Sequence, residues 1–169
     1  LIRQQGVKTH NNIASGVSRR FDSARDRRCL NTRQKGAEEQ QIALMRDKVD
    51  LVVLARYMQI VTPYFISHYP FRIINIDHSF LPAFAGGNPY AQADARGVKL
   101  IGATAHFATE ALDAGPIIEQ DLERVSHKYG VEELKQIGRQ IERRVLARAV
   151  IWDVEDRILV HGNKTIVFA

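Results

Sequence analysis

Two short runs of strand-forming residues, separated by a helix-initiating pair, constrain the fold of this 169-residue chain more than any other feature. The first run extends from Val49 to Ala55 and the second from Arg72 to Asp77, and Val, Ile and Leu dominate both. Between them, Thr62-Pro63 has the pattern of an N-cap followed by a proline at the first helical position. A strand, a short helix and a strand at this spacing predict a βαβ unit, whose strands are parallel and whose crossover is right-handed. The sequence therefore predicts an α/β domain with a mostly parallel sheet.

Apolar periodicity and turn residues extend this pattern from about Gly36 to the end of the chain. They predict three further helices, two further strands and a closing hairpin. The helices are expected at 37–46, 89–96 and 130–156, the strands at 100–108 and 116–125, and the hairpin at 157–168.

The net charge of +5 is unevenly distributed along the chain. Residues 1–35 contain nine Lys and Arg against two acidic residues, whereas residues 36–169 contain fifteen against seventeen. The basic segment also has neither helical nor strand periodicity, which predicts loop or disorder. We therefore separate an unassigned segment, 1–37, from a domain at 38–169. A basic arm could bind nucleic acid, but this is the weakest interpretation because the body of the chain is mildly acidic.

Composition excludes several other classes of protein and site. Cys29 is the only cysteine, which rules out an intrachain disulfide and a cysteine-based zinc site. The histidines lack metal-ligand spacing, so no metal is expected. The apolar runs have the length of strands, and the N-terminus lacks a signal pattern, so we expect a cytoplasmic protein with no membrane association.

Polar side chains with catalytic potential lie where the predicted strands end. Asn75 and Asp77 share one face of their strand, and His78 follows on the other face or in the loop. An amide can donate a hydrogen bond to a developing oxyanion, and a neighbouring carboxylate can take or orient a proton. The same two side chains could instead only satisfy backbone groups at the strand end. Taken alone, Asp113 fits an ordinary turn and His106 a packed strand residue.

Five segments resemble the formyltetrahydrofolate deformylase family of the formyltransferase superfamily. They are LARYMQI at 54–60, INIDHSFLPAF at 74–84, GVKLIGATAHF at 97–107, LDAGPIIEQ at 112–120 and GNKTIVF at 162–168. The resemblance extends from about Glu38 to the C-terminus. His78 stands where the transferases of the superfamily have a proline, which favours the deformylases.

The resemblance implies a Rossmann-like formyltransferase fold with flanking helices, closed by the long helix and the hairpin. It implies that the chain is the C-terminal part of the catalytic domain, so that the first strands of the sheet are expected to be absent. The implied reaction is hydrolysis of 10-formyltetrahydrofolate to formate and tetrahydrofolate, in one-carbon and purine metabolism. Because the folate is the substrate, no cofactor is expected, and the expected partner is a second copy of the chain in a homo-oligomer.

The resemblance also implies roles for individual residues. Asn75 would bind the formyl oxygen, and Asp113 would activate water and carry a proton to the departing nitrogen. His106 would support both from close by. The residues implied to form the wall of the folate pocket are Met58, Gln59, Ile60, Val61, Glu110, Ala111, Leu112 and Gly115.

The chain departs from the family at Asp77, which replaces the catalytic histidine two residues after Asn75. Asp77 and Asp113 would then form a carboxylate pair, in which one pKa is expected to rise. Such a pair can supply an acid and a base, or the change can weaken hydrolysis. Asp77 and His78 are both retained as catalytic candidates. The alternatives are formyl transfer to an amine, as in the glycinamide ribonucleotide enzymes, and a folate-binding remnant with little activity.

Overall fold

The computed structural model describes residues 25–57, 59–78 and 89–169, with side chains from residue 33 onward. The chain divides into the units Leu1–Gln34 and Lys35–Ala169, and all packing described below lies within the second. The helices of the described residues are α1 (Arg25–Met45), α2 (Pro63–His68), α3 (Pro89–Ala95) and α4 (Val131–Val154). Their strands are β1 (Val52–Leu54), β2 (Ile73–Asp77), β3 (Leu100–Phe107), β4 (Ile117–Arg124), β5 (Ile158–His161) and β6 (Lys164–Val167).

Helix α1 begins at Arg25, so the prediction of loop or disorder was wrong for residues 25–35. The segment contains several Arg and Gln residues, which favour helix, but it has no apolar period that could have indicated one. The rest of the basic segment, residues 1–24, lies outside the described residues. The boundary between 37 and 38 stays a prediction.

The main sheet has the strand order β1-β2-β3-β4. Strands β1 and β2 are parallel, as the βαβ pattern predicts, and Val52 lies opposite Ile73. Strand β3 is antiparallel to both of its neighbours. The sheet is therefore mixed, and the expectation of a mostly parallel sheet was wrong for the described strands. The short connection between β3 and β4 explains part of this difference, because a parallel crossover needs a dozen or more residues.

Helix α4 packs against the sheet, and its buried face forms one side of the main core cluster. The apolar stripe predicted from its sequence is confirmed, since Leu134, Ile141, Val145 and Ala149 are buried. The sheet residues buried in the same cluster are Ile74, Ile101, Ala103, Ala105, Phe107 and Ile118. Burying one large aliphatic side chain of this kind stabilises the fold by about 1.5–3 kcal/mol.

The start of α2 is fixed by two side chains. The Thr62 hydroxyl accepts a hydrogen bond from the Phe65 amide at 3.3 Å, which confirms the predicted N-cap. The buried Glu38 carboxylate of α1 in turn accepts from the Thr62 backbone amide at 3.1 Å and from the Thr62 hydroxyl. These bonds connect Thr62, at the end of the segment that follows β1, to helix α1.

The last two strands form a separate hairpin. Ile158 pairs with Val167, and His161 pairs with Lys164 across a two-residue turn. Gly162 takes the first central position of that turn with φ +59°, which a side chain would disfavour. No helix in the described ranges has both the length and the apolar character to span a bilayer.

Candidate active site

A cavity of about 810 Å³ opens beside the ends of β1 and β2. Its lining comes from the segment after β1, the end of β2, the start of α3, the loop after β3 and one side of α4. The sequence-predicted residues that line it are Gln59, Ile60, Val61, Asn75, Asp77, His78, His106, Glu110, Leu112 and Asp113. Ala111 and Gly115 belong to the same loop but are not among the described lining residues, and Met58 lies outside the described part.

The pairing of β2 with β3 brings Asn75 and His106 together. The two residues are directly opposite in the antiparallel ladder, and Asn75 Nδ2 lies 3.2 Å from His106 Nε2. A register shift between Ala105 and His106 interrupts the pairing of β3 with β4 at this point. Such bulges redirect side chains, and they recur beside active sites.

The hydrogen bonds of His106 define its tautomer. The ring is buried, and Nδ1 lies 3.0 Å from the Phe107 carbonyl oxygen, which can only accept. Nδ1 therefore carries the proton and donates it, so that Nε2 accepts from the Asn75 amide. This contact orients the Asn75 side chain and leaves its second N–H for another acceptor. His106 is thus a packed residue, as its pattern alone predicts, and it also positions a candidate catalytic group.

Asp113 completes the polar cluster from the loop between β3 and β4. Its Oδ1 lies 3.9 Å from His106 Nε2, which is beyond hydrogen-bond distance but close enough for electrostatic interaction. Partial burial and the negative charge of Asp77 raise the pKa of the Asp113 carboxyl, while His106 and His78 act in the opposite direction. The rise expected for a carboxylate pair is therefore found at Asp113, with burial as its larger cause.

The conformation of this loop depends on Gly115. A Cβ at this position would lie 3.0 Å from the Phe107 carbonyl carbon and closer still to its oxygen. The contact is tight because the Phe107 amide donates to the Pro116 carbonyl at 2.9 Å. Asp113 itself has φ +51°, in the left-handed region that non-glycine residues rarely adopt. Gly115 thus shapes the loop that presents Asp113, and its place in the pocket wall, implied by the family resemblance, stays a prediction.

Asp77 and His78 reach the cavity from the end of β2. Asp77 pairs with Thr104 of β3, whose hydroxyl accepts from the Gln120 side chain at 2.9 Å. The His78 ring lies 6.3 Å from the Tyr90 ring, so His78 is turned toward the cavity and not into the core. All four predicted catalytic residues therefore line one cavity.

Sequence reasoning missed the wall that α3 and α4 provide. Tyr90 donates from its hydroxyl to Glu142 Oε1 at 2.9 Å, and burial, followed by the Glu142 charge, raises the pKa of Tyr90. Gly138 leaves room for this ring, because a Cβ there would collide with Tyr90. Lys135 and Arg139 line the same side. A glycine in the middle of a long helix was the one available signal of close packing.

The arrangement combines a hydrogen-bond donor, a base and a histidine that orients the donor. Asn75 can donate to an oxygen that gains negative charge, and Asp113 can take a proton from a water between them. Within the described ranges, no group of His, Cys, Asp and Glu side chains is arranged to hold a metal ion. This cluster suits addition of water to a carbonyl or formyl carbon.

Comparisons with known proteins identify the family to which the chain is similar. Residues 4–150 match the family described as formyl transferase, and the match includes part of the segment left unassigned above. The formyltetrahydrofolate deformylase of Bacillus subtilis (strain 168) is 65% identical over 132 residues, which are 78% of this chain and 44% of that protein. The Escherichia coli (strain K12) protein of the same name is 48% identical over 136 residues, 80% of this chain and 49% of that protein. The chain therefore spans about half the length of these curated relatives.

Solved structures give the same result for the fold. A formyltetrahydrofolate deformylase from Pseudomonas syringae pv. tomato superposes with a TM-score of 0.76 at 54% identity, covering 80% of this chain and 46% of that chain. Glycinamide ribonucleotide transformylase 1 from Symbiobacterium toebii gives 0.72 at 35% identity, covering 80% and 63%. The expected formyltransferase fold is confirmed, and the deformylases are more similar than these transformylases. On its fold, its cavity and the match over residues 4–150, the chain belongs to the formyl transferase family.

Proposed function

We propose that this protein hydrolyses 10-formyltetrahydrofolate to formate and tetrahydrofolate. The observation that carries the proposal is the clustering of Asn75, His106 and Asp113 on one cavity, with Asn75 oriented by His106 and the Asp113 pKa raised. The relatives named formyltetrahydrofolate deformylase support the same substrate.

Each of the three residues has a defined task in this reaction. The free N–H of Asn75 donates to the formyl oxygen and stabilises the negative charge that forms there. Asp113 takes a proton from water while the water oxygen bonds to the formyl carbon. The carbon–nitrogen bond then breaks, and the same proton passes from Asp113 to the departing nitrogen of tetrahydrofolate. The raised pKa makes the Asp113 carboxylate a stronger base, which suits it to taking the proton from water.

Asp77 modulates this centre through its charge. It raises the pKa of Asp113 and therefore the basicity of the group that activates water. His78 opposes this effect, since its imidazole lowers the same pKa. In this mechanism Asp77 and His78 adjust the pKa of Asp113, whereas Asn75 and Asp113 act on the substrate and the water.

The direct test is formate release from 10-formyltetrahydrofolate by the full 169-residue chain, without any amine acceptor. We expect formate and tetrahydrofolate in equal amounts. Comparison with the Asp77→His variant tests whether the aspartate, which stands where the family has a histidine, weakens hydrolysis. Folate binding without turnover by the unmodified chain would instead support a binding remnant.

Formyl transfer is the second candidate function, because transformylases share the fold at 35% identity. The same assay separates the two. A transferase consumes 10-formyltetrahydrofolate only when a primary amine such as glycinamide ribonucleotide is supplied, and its product is the formylated amine and not formate. A hydrolase releases formate with or without the amine.

The remaining properties follow from the proposed activity and the sequence, and each stays a prediction. We propose a cytoplasmic homo-oligomer that acts on a small folate, requires no cofactor and binds no nucleic acid.

A further inference from the structure

The C-terminal hairpin is hydrogen-bonded to the loop between β3 and β4, although the two are nearly 50 residues apart in sequence. Asn163 Nδ2 donates to the Ala114 carbonyl oxygen at 3.0 Å. The Thr165 hydroxyl donates to the Ile117 carbonyl oxygen at 2.6 Å. These two bonds hold the loop on both sides of Gly115-Pro116.

Each bonded carbonyl adjoins a residue of the candidate active site. Ala114 directly follows Asp113 in the chain. Ile117 lies opposite His106 in the sheet, next to the register shift between Ala105 and His106. A movement of the hairpin would therefore be transmitted to both side chains.

The hairpin itself is well anchored. The Arg157 amide donates to the Trp152 carbonyl near the end of α4 at 2.8 Å, and the Phe168 amide donates to the Arg157 carbonyl at 3.0 Å. Because α4 is packed in the core, these hydrogen bonds fix the hairpin relative to the core. Asn163 follows Gly162 in a turn whose geometry the two-residue connection fixes.

The loop, by contrast, has little internal support. Residues 110–114 are exposed, and the hydrogen bonds within the loop are those of the Thr109 hydroxyl and the Ala114 amide to the Ala111 carbonyl, at 3.1 Å and 3.4 Å. Asp113 adopts φ +51°, a conformation that persists only where the surroundings enforce it. External hydrogen bonds are therefore needed to keep its carboxyl near His106.

We propose that Asn163 and Thr165 are positioning residues of the candidate active site: by binding the Ala114 and Ile117 carbonyls, they hold the Asp113 carboxyl beside His106. The catalytic consequence rests on the proposed hydrolysis, whereas the positioning is a property of the fold alone.

The test compares the Asn163→Ala/Thr165→Val double variant with the unmodified full-length chain. Lys164→Ala is the matched control, because Lys164 is an exposed residue of the same turn between the two bonded side chains. Thr165→Ser keeps the hydroxyl and should behave like the unmodified chain. If near-UV circular dichroism shows that the double variant has lost its packed core, the single variants Asn163→Ala and Thr165→Val are compared with the unmodified chain instead.

The first readout is amide hydrogen exchange, which requires no activity. In the double variant we expect exchange to be about tenfold faster at the Phe107 and Ala114 amides, whose acceptors Pro116 and Ala111 lie in the loop, while β2 and α4 keep their protection. The Lys164→Ala variant should exchange like the unmodified chain. Unchanged exchange in the loop would overturn the inference, whatever the enzyme assay shows.

The second readout is formate release. We expect kcat to fall by about 10- to 100-fold in the double variant, with KM within about threefold, because a displacement near 1 Å strongly slows a step that depends on orientation. Absence of turnover in the unmodified chain would refute the proposed function and leave the exchange result to decide the positioning. Faster exchange with unchanged kcat in an active chain would show that Asp113 does not depend on the hairpin.

Discussion

Replacement of Gly115 by Ala tests how the loop geometry supports the candidate site. The added methyl would lie 3.0 Å from both the Phe107 carbonyl carbon and Thr109 Cγ2, and within the contact radius of the Phe107 oxygen. The hydrogen bond from the Phe107 amide to the Pro116 carbonyl holds the two backbone segments together, so that neither the Phe107 carbonyl nor Gly115 can rotate away from the other. The loop must therefore move by about 1 Å or more to restore close-packed distances.

Two consequences of this movement can be measured separately. Forced overpacking costs about 1–3 kcal/mol of unfolding free energy, which urea denaturation measures. A shift of about 1 Å in Asp113 should lower kcat for formate release by about 100-fold. The matched control is Gly97→Ala, where the Cβ meets nothing within 4 Å but φ is +61°. That variant should lose about 1–2 kcal/mol of stability and keep its activity. A Gly115→Ala enzyme of undiminished kcat would refute the reasoning.

Three further predictions concern individual carboxylates. Asp77→Asn removes a charge that raises the Asp113 pKa, so the acidic limb of the pH–rate profile should move to lower pH; a stationary limb would contradict coupling between the two groups. Because the folded-state pKa of Asp113 is raised, its ionisation disfavours folding as pH rises, and Asp113→Asn should raise Tm at pH 7 but not at pH 3. An equal gain at both pH values would indicate another cause. Glu38→Ala leaves the Thr62 amide without its carboxylate partner and should cost about 1–3 kcal/mol in urea denaturation, whereas a loss no larger than at an exposed site would contradict a structural role.

Local sequence patterns were sufficient to predict most elements of the fold. Thr62-Pro63 marks the start of α2, and the stripe from Leu134 to Ala149 marks the buried face of α4. The signal for α2 lies within its first turn, and the stripe of α4 extends over about four turns of a single helix. The N-terminal half of α1 was missed because its apolar residues, Cys29 and Leu30, are adjacent and form no helical period, so that only helix propensity could have indicated a helix.

The residue pattern alone pointed to Asn75, Asp77 and His78, whereas His106 and Asp113 became site candidates only through the family resemblance. Neither indicated the geometry of the site, because β3 is antiparallel to β2. His106 instead meets Asn75 through the register of that pairing, which depends on contacts 31 residues apart. The contribution of Tyr90 and Glu142 was missed for the same reason, since their hydrogen bond spans 52 residues. Periodicity carries no information on pairings at such separations.

The most direct test of the central claim is the rate of formate release by Asp113→Asn, measured together with its affinity for an unreactive folate. Because Asp113 transfers the proton in the proposed mechanism, kcat of the Asp113→Asn variant should fall by at least about 100-fold. The dissociation constant for the folate should stay within about threefold, because the amide preserves the shape of the cavity and removes only the base. An Asp113→Asn variant that binds the folate and releases formate at the rate of the unmodified chain would contradict the account.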